Sequence, residues 1–224
     1  MKINYIHHSG FLIETDSACY IFDYFKGKLP SFDISKPVTV FSSHGHNDHY
    51  NPEIFTLLKE AGAKNICACL SKDIDPKRYP SEVTVTKIYG GKEYVLPGGE
   101  KLVTFFSTDV GVAFYLETAE GNIFHAGDLN DWRWEGEEES SNRQMVGSYR
   151  HEIDKLKAYH IDHAFVPLDP RQGKYTGEGL LYFLQTVDAD NVYPMHWWGR
   201  SRVIDEFINK HPQYADVIKH TEKV

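Results

Sequence analysis

A short β-branched stretch, Val38-Thr39-Val40-Phe41, leads almost directly into His44-Gly45-His46-Asn47-Asp48-His49. Few folds place four potential metal ligands within six residues directly after a strand, so this run constrains the chain more than any other segment. In extended backbone the side chains of i, i+2 and i+4 share one side. His44, His46 and Asp48 can therefore converge, while His49 turns towards the helix that follows. Imidazole and carboxylate together suit Zn²⁺, and also Mn²⁺ or Fe²⁺. No cysteine lies nearby, which argues against a closed thiolate site. A loop rich in histidine by chance is the competing reading, and the ligand order after a strand argues against it.

Around this run the pattern predicts strands through the first 125 residues: Ile3 to Ile6, Phe11 to Glu14, Tyr20 to Asp23, Val38 to Phe41, Asn65 to Cys69, Val83 to Ile88, Lys101 to Phe106, Val112 to Glu117 and Asn122 to His125. Gly, Pro, Asp and Ser separate them, as turns require. Asn51-Pro52-Glu53 opens a helix through Leu58, with Asn as cap and Pro in the first turn. Later helices are predicted over Ser141 to Tyr159, Gly177 to Val187 and Arg202 to Asn209, with strands His163 to Val166 and Asn191 to Pro194 between them. Strands first, then strands alternating with helices, suggest two sheets with helices outside. Pattern alone leaves other α/β and α+β layouts open.

The chain has 224 residues, 41% apolar and 25% charged, which suits one folded domain over 1–224 and argues against disorder. A net charge of −8 without a basic run argues against nucleic acid as a partner. No stretch is long enough to span a membrane and the N-terminus lacks a signal-like apolar run, so a cytoplasmic protein is expected. The oligomeric state is not legible. Three cysteines, Cys19, Cys67 and Cys69, are an odd number for a disulfide framework. Cys67 and Cys69 read best as small buried residues on one face of a strand.

Aromatic and charged residues cluster after further candidate positions. Trp132 and Trp134 follow Asp128, and Trp197 and Trp198 follow His196. They can wall a substrate pocket or pack as core. Trp132 and Trp197 are the substrate-binding candidates, and Asp131 to Ser141 reads as a lid or a plain surface loop. Arg171, with Lys174, Arg200 and Arg202 behind it, could hold a substrate carboxylate or phosphate. Solvated surface charge is the alternative. His125 reads as packing or ligand support, and His151, His160 and His163 as ordinary helix or loop residues.

The run His44-Gly45-His46-Asn47-Asp48-His49 resembles the signature of the metallo-β-lactamase superfamily. Ile21-Phe22-Asp23, Phe124-His125-Ala126-Gly127-Asp128 and Tyr193-Pro194-Met195-His196 resemble further pieces of that family in the expected order, across about residues 5–200. The resemblance implies a four-layer αββα sandwich, α/β (α+β) in class, with two mixed β-sheets, helices outside and the site at one edge. It is nearest the compact branch that resembles ascorbate-6-phosphate lactonase. It also implies that His44 and His46 bind a first metal, that Asp48, His49 and His196 bind a second, and that Asp128 bridges them. Asp23 would orient the ligand loops, and His8, near the first strand, is a candidate to line the pocket. Where the family usually supplies a third His, this chain has Ser107-Thr108-Asp109-Val110-Gly111. Asp109 is the substitute candidate, and a carboxylate there would move preference from Zn²⁺ towards Mn²⁺ or Fe²⁺.

These residues suggest a metal-dependent hydrolase with two Zn²⁺ ions, in which Asp48 and Asp128 are catalytic. A metal-activated hydroxide would attack an ester, lactone, amide or phosphodiester bond of a small-molecule substrate, anionic if Arg171 binds it. Alternatives are an RNA-processing nuclease on the same fold and a non-catalytic metal-binding protein with a degraded first site. A di-iron redox protein is disfavoured, because His46 stands where such relatives carry Glu.

Overall fold

The early strands pair into one six-stranded mixed sheet, in sequence order from edge to edge: β1 (Lys2–His7), β2 (Gly10–Glu14), β3 (Cys19–Phe22), β4 (Val38–Ser42), β5 (Ile66–Ser71) and β6 (Thr84–Ile88). β1, β2 and β3 are antiparallel neighbours, whereas β3, β4, β5 and β6 run parallel. Parallel strands need crossovers, and helix α1 (Glu53–Ala61) supplies the one between β4 and β5. Ile54, Phe55 and Leu58 of α1 pack with Leu12, Ile21, Val38, Val40 and Leu70 in one core. The opposite face of β4 is buried as well, with Phe41 stacked on Phe22 at 4.6 Å. Burial on both faces accounts for the unbroken Val-Thr-Val-Phe run.

A second six-stranded sheet has the order β12-β11-β10-β9-β8-β7, built from β7 (Glu93–Val95), β8 (Lys101–Phe106), β9 (Val112–Thr118), β10 (Gly121–His125), β11 (His160–Pro167) and β12 (Asp188–Met195). Here β7 to β10 pair antiparallel and β10, β11 and β12 run parallel. The parallel connections carry α2 (Glu139–Lys155) and α3 (Glu178–Thr186), and α4 (Arg202–Lys210) follows β12. The structure, a computed structural model, describes all residues from Met1 to Val224 and falls into two compact units. One holds Met1–Tyr89 with Val224 and the other Gly90–Lys223.

The sequence pattern misses β7, a three-residue edge strand whose Glu93 and Val95 are exposed, so no apolar face marks it. Helix α2 begins at Glu139 and ends at Lys155, earlier at both ends than the predicted Ser141 to Tyr159. The acidic run Glu137-Glu138-Glu139 favours the positive end of the helix dipole, and a 3₁₀ turn over Leu156–Ala158 closes the segment. Strand β11 begins at His160, inside what reads as a loop. Helix α1 runs on to Ala61, and its N-cap is Pro52 and not the expected Asn51, whose Oδ1 accepts from the Glu53 amide at 3.0 Å from one residue further out. The cysteines are free. Burial pushes the Cys19 thiol up to about 11 and the Cys69 thiol higher still, so both stay protonated. No helix is long and apolar enough to cross a membrane.

Candidate metal centre

In each unit the candidate ligands follow the carboxyl ends of neighbouring parallel strands, where α/β sheets collect their functional groups. In the first unit Asp23 follows β3 and the His44–His49 run follows β4. In the second, Asp128 follows β10, Asp169 follows β11 and His196 follows β12.

Asp23 organises the first unit's candidate ligands. Its fully buried carboxylate accepts hydrogen bonds from the Ser43 amide (2.7 Å), the Ser43 hydroxyl (2.6 Å) and Nδ1 of His49 (2.7 Å). His49 therefore carries its proton on Nδ1 and keeps a lone pair on Nε2. The Ser43 proton is spent on Asp23, so its oxygen can only accept from Nδ1–H of His44 at 3.0 Å. His44 is thereby set in the same tautomer as His49. Nε2 of His44 lies 3.0 Å from Nδ1 of His46. Two nitrogens on one tetrahedral ion at about 2.0–2.1 Å stand roughly 3.3 Å apart, so this pair fits one metal with little adjustment.

Against the expectation that it converges with His44 and His46, Asp48 lies in a turn and not in extended backbone, and it meets His8 and His49 instead. Its Oδ2 lies 3.4 Å from Nε2 of His8 and 4.0 Å from Nε2 of His49. Burial opposes ionisation of Asp48, but the hydrogen bond from His8 and the electrostatic effect of the neighbouring His49 ring outweigh it. The carboxyl is held well below the usual carboxylate range. His8, a weak candidate by sequence, thus joins Asp48 and His49.

The loop itself is clamped from behind by residues after β5. Asp73 accepts from the Gly45 amide at 2.7 Å. Arg78 donates to the carbonyls of Gly45 (2.7 Å) and Tyr50 (2.9 Å) and lies over the Tyr50 ring at 4.8 Å. Nothing in the local pattern marks Asp73 or Arg78, because both reach the ligand run only across parallel strands.

The second unit repeats the device. Asp169, fully buried, lies with Oδ2 3.0 Å from Nδ1 of His196, whose Nε2 is 3.4 Å from Oδ1 of Asp128. Burial works against the Asp169 charge, but hydrogen bonds from His196 and Arg171 bring its pKa down to about 2. The Asp128 loop is fixed by the indole Nε1–H of Trp132, which donates to the Asp128 carbonyl at 2.8 Å. Thr108 tightens it further. Its hydroxyl donates to the Asn130 carbonyl at 2.5 Å and accepts from the Asn130 amide at 3.0 Å. Thr108 thus ties the 107–111 turn to the Asp128 loop. Its neighbour Asp109 is exposed, with a carboxylate oxygen within 4.8 Å of one of Asp128.

Arg171 gives Nε and Nη2 to Asp169 and lies over Trp198 and Trp134 at 4.4 and 5.9 Å. Trp132 and Trp197 are buried, and Trp198 is the exposed tryptophan. Residues 131–138 are pinned: Gln172 donates to the Asp131 carbonyl, Asn142 bonds the Trp134 backbone and Glu135 accepts from the Lys174 amide. His125 is fully buried, and its Nδ1 accepts from the Gly127 amide.

Backbone strain marks the same places. The non-glycine residues with positive φ are His8, Asp23, His196 and Trp198. Each costs about 1–3 kcal/mol, and such strain persists where a site requires it. Sequence carries no signal of it.

The sequence model of the family described as "Beta-lactamase superfamily domain" matches residues 2–196. A UPF0173 metal-dependent hydrolase of Bacillus cereus is 24% identical over 219 residues, covering 88% of this chain and 86% of the relative. Another, of Bacillus cytotoxicus, is 25% identical over 221 residues, with 88% and 86% covered. The solved structure of Igni18, a metallo hydrolase from the archaeon Ignicoccus hospitalis, superposes with a TM-score of 0.68 at 17% identity, covering 97% of this chain and 93% of that one.

Proposed function

The chain belongs to the beta-lactamase superfamily and is a metal-dependent hydrolase, and we propose that its ligands are His44, His46 and Asp109 for a first ion, Asp48, His49 and His196 for a second, and Asp128 between them. The ions are zinc on this reading. The observation that carries it is the paired use of buried carboxylates: Asp23 fixes Nδ1 of His49, and Asp169 fixes Nδ1 of His196. Metal-binding histidines are held this way, with the other nitrogen left as a donor of known direction. The donor set, neutral imidazoles and ionised carboxylates, fits a divalent cation.

A bound metal ion supplies Lewis acidity and acidifies water towards neutral pH. The protein's own groups do the rest. Asp48, kept ionised by His8 and His49, is too weak a base to hold a proton at neutral pH. It serves as a ligand and as a hydrogen-bond acceptor that orients water. Trp132 and Thr108 hold the Asp128 loop, so that its carboxylate need not reorganise during the reaction. The bond cleaved is an ester, lactone, amide or phosphodiester in a small molecule.

Elemental analysis of protein purified without chelator tests this reading. About two equivalents of zinc per chain are expected, with about one lost in a His196→Ala variant. Asp128→Ala and Asp48→Ala should abolish hydrolysis across a panel of these four bond types. Failure to take up zinc or manganese from solution, or full activity of Asp128→Ala, would overturn it.

A further inference from the structure

Trp198 stands two residues beyond His196 and holds φ at +50, with Gly199 next to it at +74. A bulky residue in the left-handed region is costly, and here the strain turns the indole edge-on to His196, ring centroids 5.6 Å apart at 89°. Trp132 flanks His196 as well, at 5.4 Å, and stacks on Trp134 at 5.9 Å and 6°. Trp132 is buried beneath the loop, whereas Trp198 is 40% exposed.

The cation beside this surface is already neutralised. Arg171 stacks on Trp198 at 4.4 Å, while its Nε and Nη2 are bound to the buried carboxylate of Asp169. An incoming anion would meet a guanidinium whose charge Asp169 has balanced. A flat uncharged group would meet an indole stiffened from behind by a planar cation, with offset or edge contacts available.

We infer that Trp198, backed by Arg171, is the substrate platform of the site, and that the substrate carries a planar, uncharged group next to the bond cleaved. Arg171 is a positioning residue here and not an anion anchor. The inference rests on the hydrolase reading for the identity of the site, but the platform can be tested apart from turnover.

The test pairs benzyl acetate with cyclohexylmethyl acetate, which match in size and differ in planarity. Saturation-transfer NMR on the two alcohols, benzyl alcohol and cyclohexylmethanol, measures binding without catalysis. The wild-type protein should favour the benzyl member by about 5-fold in kcat/KM and in saturation. Trp198→Ala should bring both ratios to about one, and Trp198→Phe should retain part of each preference. Turnover with ratios that Trp198→Ala does not move overturns the platform and leaves the hydrolase reading intact. Preferential saturation by benzyl alcohol, lost in Trp198→Ala, with neither ester hydrolysed, keeps the platform and counts against ester hydrolysis. No preference in either measurement overturns the platform.

Discussion

Oδ2 of Asp169 lies 3.0 Å from Nδ1 of His196, across 27 positions of sequence. That single contact sets which nitrogen of His196 faces Asp128. An Asp169→Asn side chain keeps the shape but loses the charge that holds the ring in one tautomer. Zinc affinity should fall by about 10–100-fold, read by competition with a chromogenic chelator, with the circular dichroism spectrum retained. An unchanged affinity would remove Asp169 from the machinery.

Arg78 makes two hydrogen bonds to the backbone of the His44–His49 region and covers Tyr50. Removing it in Arg78→Ala leaves the carbonyls of Gly45 and Tyr50 without these donors. Charged hydrogen bonds of this kind contribute about 1.5–3 kcal/mol each. We expect a lower unfolding midpoint in urea and weaker zinc binding. Arg78→Lys should recover less than half of the stability lost, since a lysine cannot reproduce the planar stack and the fork together.

Gly179 at the start of α3 gives Asn130 room. A Cβ there would stand 2.2 Å from Oδ1 of Asn130 and 3.1 Å from the Asp131 amide. Gly179→Ala must displace the loop that Thr108 ties to Asp128. Overpacking of this sort costs about 1–3 kcal/mol, which thermal unfolding would register, and zinc binding should weaken along with it. A variant as stable as wild type would show that the loop yields freely.

His160 lies among Asp162, Asp188 and Asp190, remote in sequence from the proposed ligands. The hydrogen bond to Asp188 and the surrounding carboxylates raise its pKa above the ordinary 6.5. Because the folded value is the higher one, any stabilisation is complete below pH 6.5 and is lost as pH rises through the raised value. A histidine NMR titration should place its midpoint above 6.5, and Asp188→Asn should bring it back down. A midpoint at or below 6.5 in the wild-type protein would contradict this placement.

Much of the first unit's set of candidate ligands is legible because it is contiguous. His44, His46, Asp48 and His49 stand next to one another, after a strand whose residue types suit burial on both faces, so residue type and position mark them as candidates. The strand periodicity that would bring His44, His46 and Asp48 together does not extend into the run, which is a turn with Asp48 beside His8 and His49. Asp128 and His196 also follow short apolar strands that the pattern marks, and their family resemblance assigns them a role. What supports them is not local. Asp169 meets His196 only because β11 and β12 are parallel neighbours, and Arg78 reaches the Gly45 carbonyl, 33 residues away, only because β4 and β5 are. Arg171 carries the residue type of an anion anchor, yet its partner is a buried carboxylate two positions earlier. The positive φ values at His8, Asp23, His196 and Trp198 likewise lie where the chain leaves a strand, and residue type does not announce them. Ligand identity is a property of residue type and spacing, which sequence carries. Ligand orientation depends on long-range hydrogen bonds and enforced backbone geometry, which exist only once the sheets have formed.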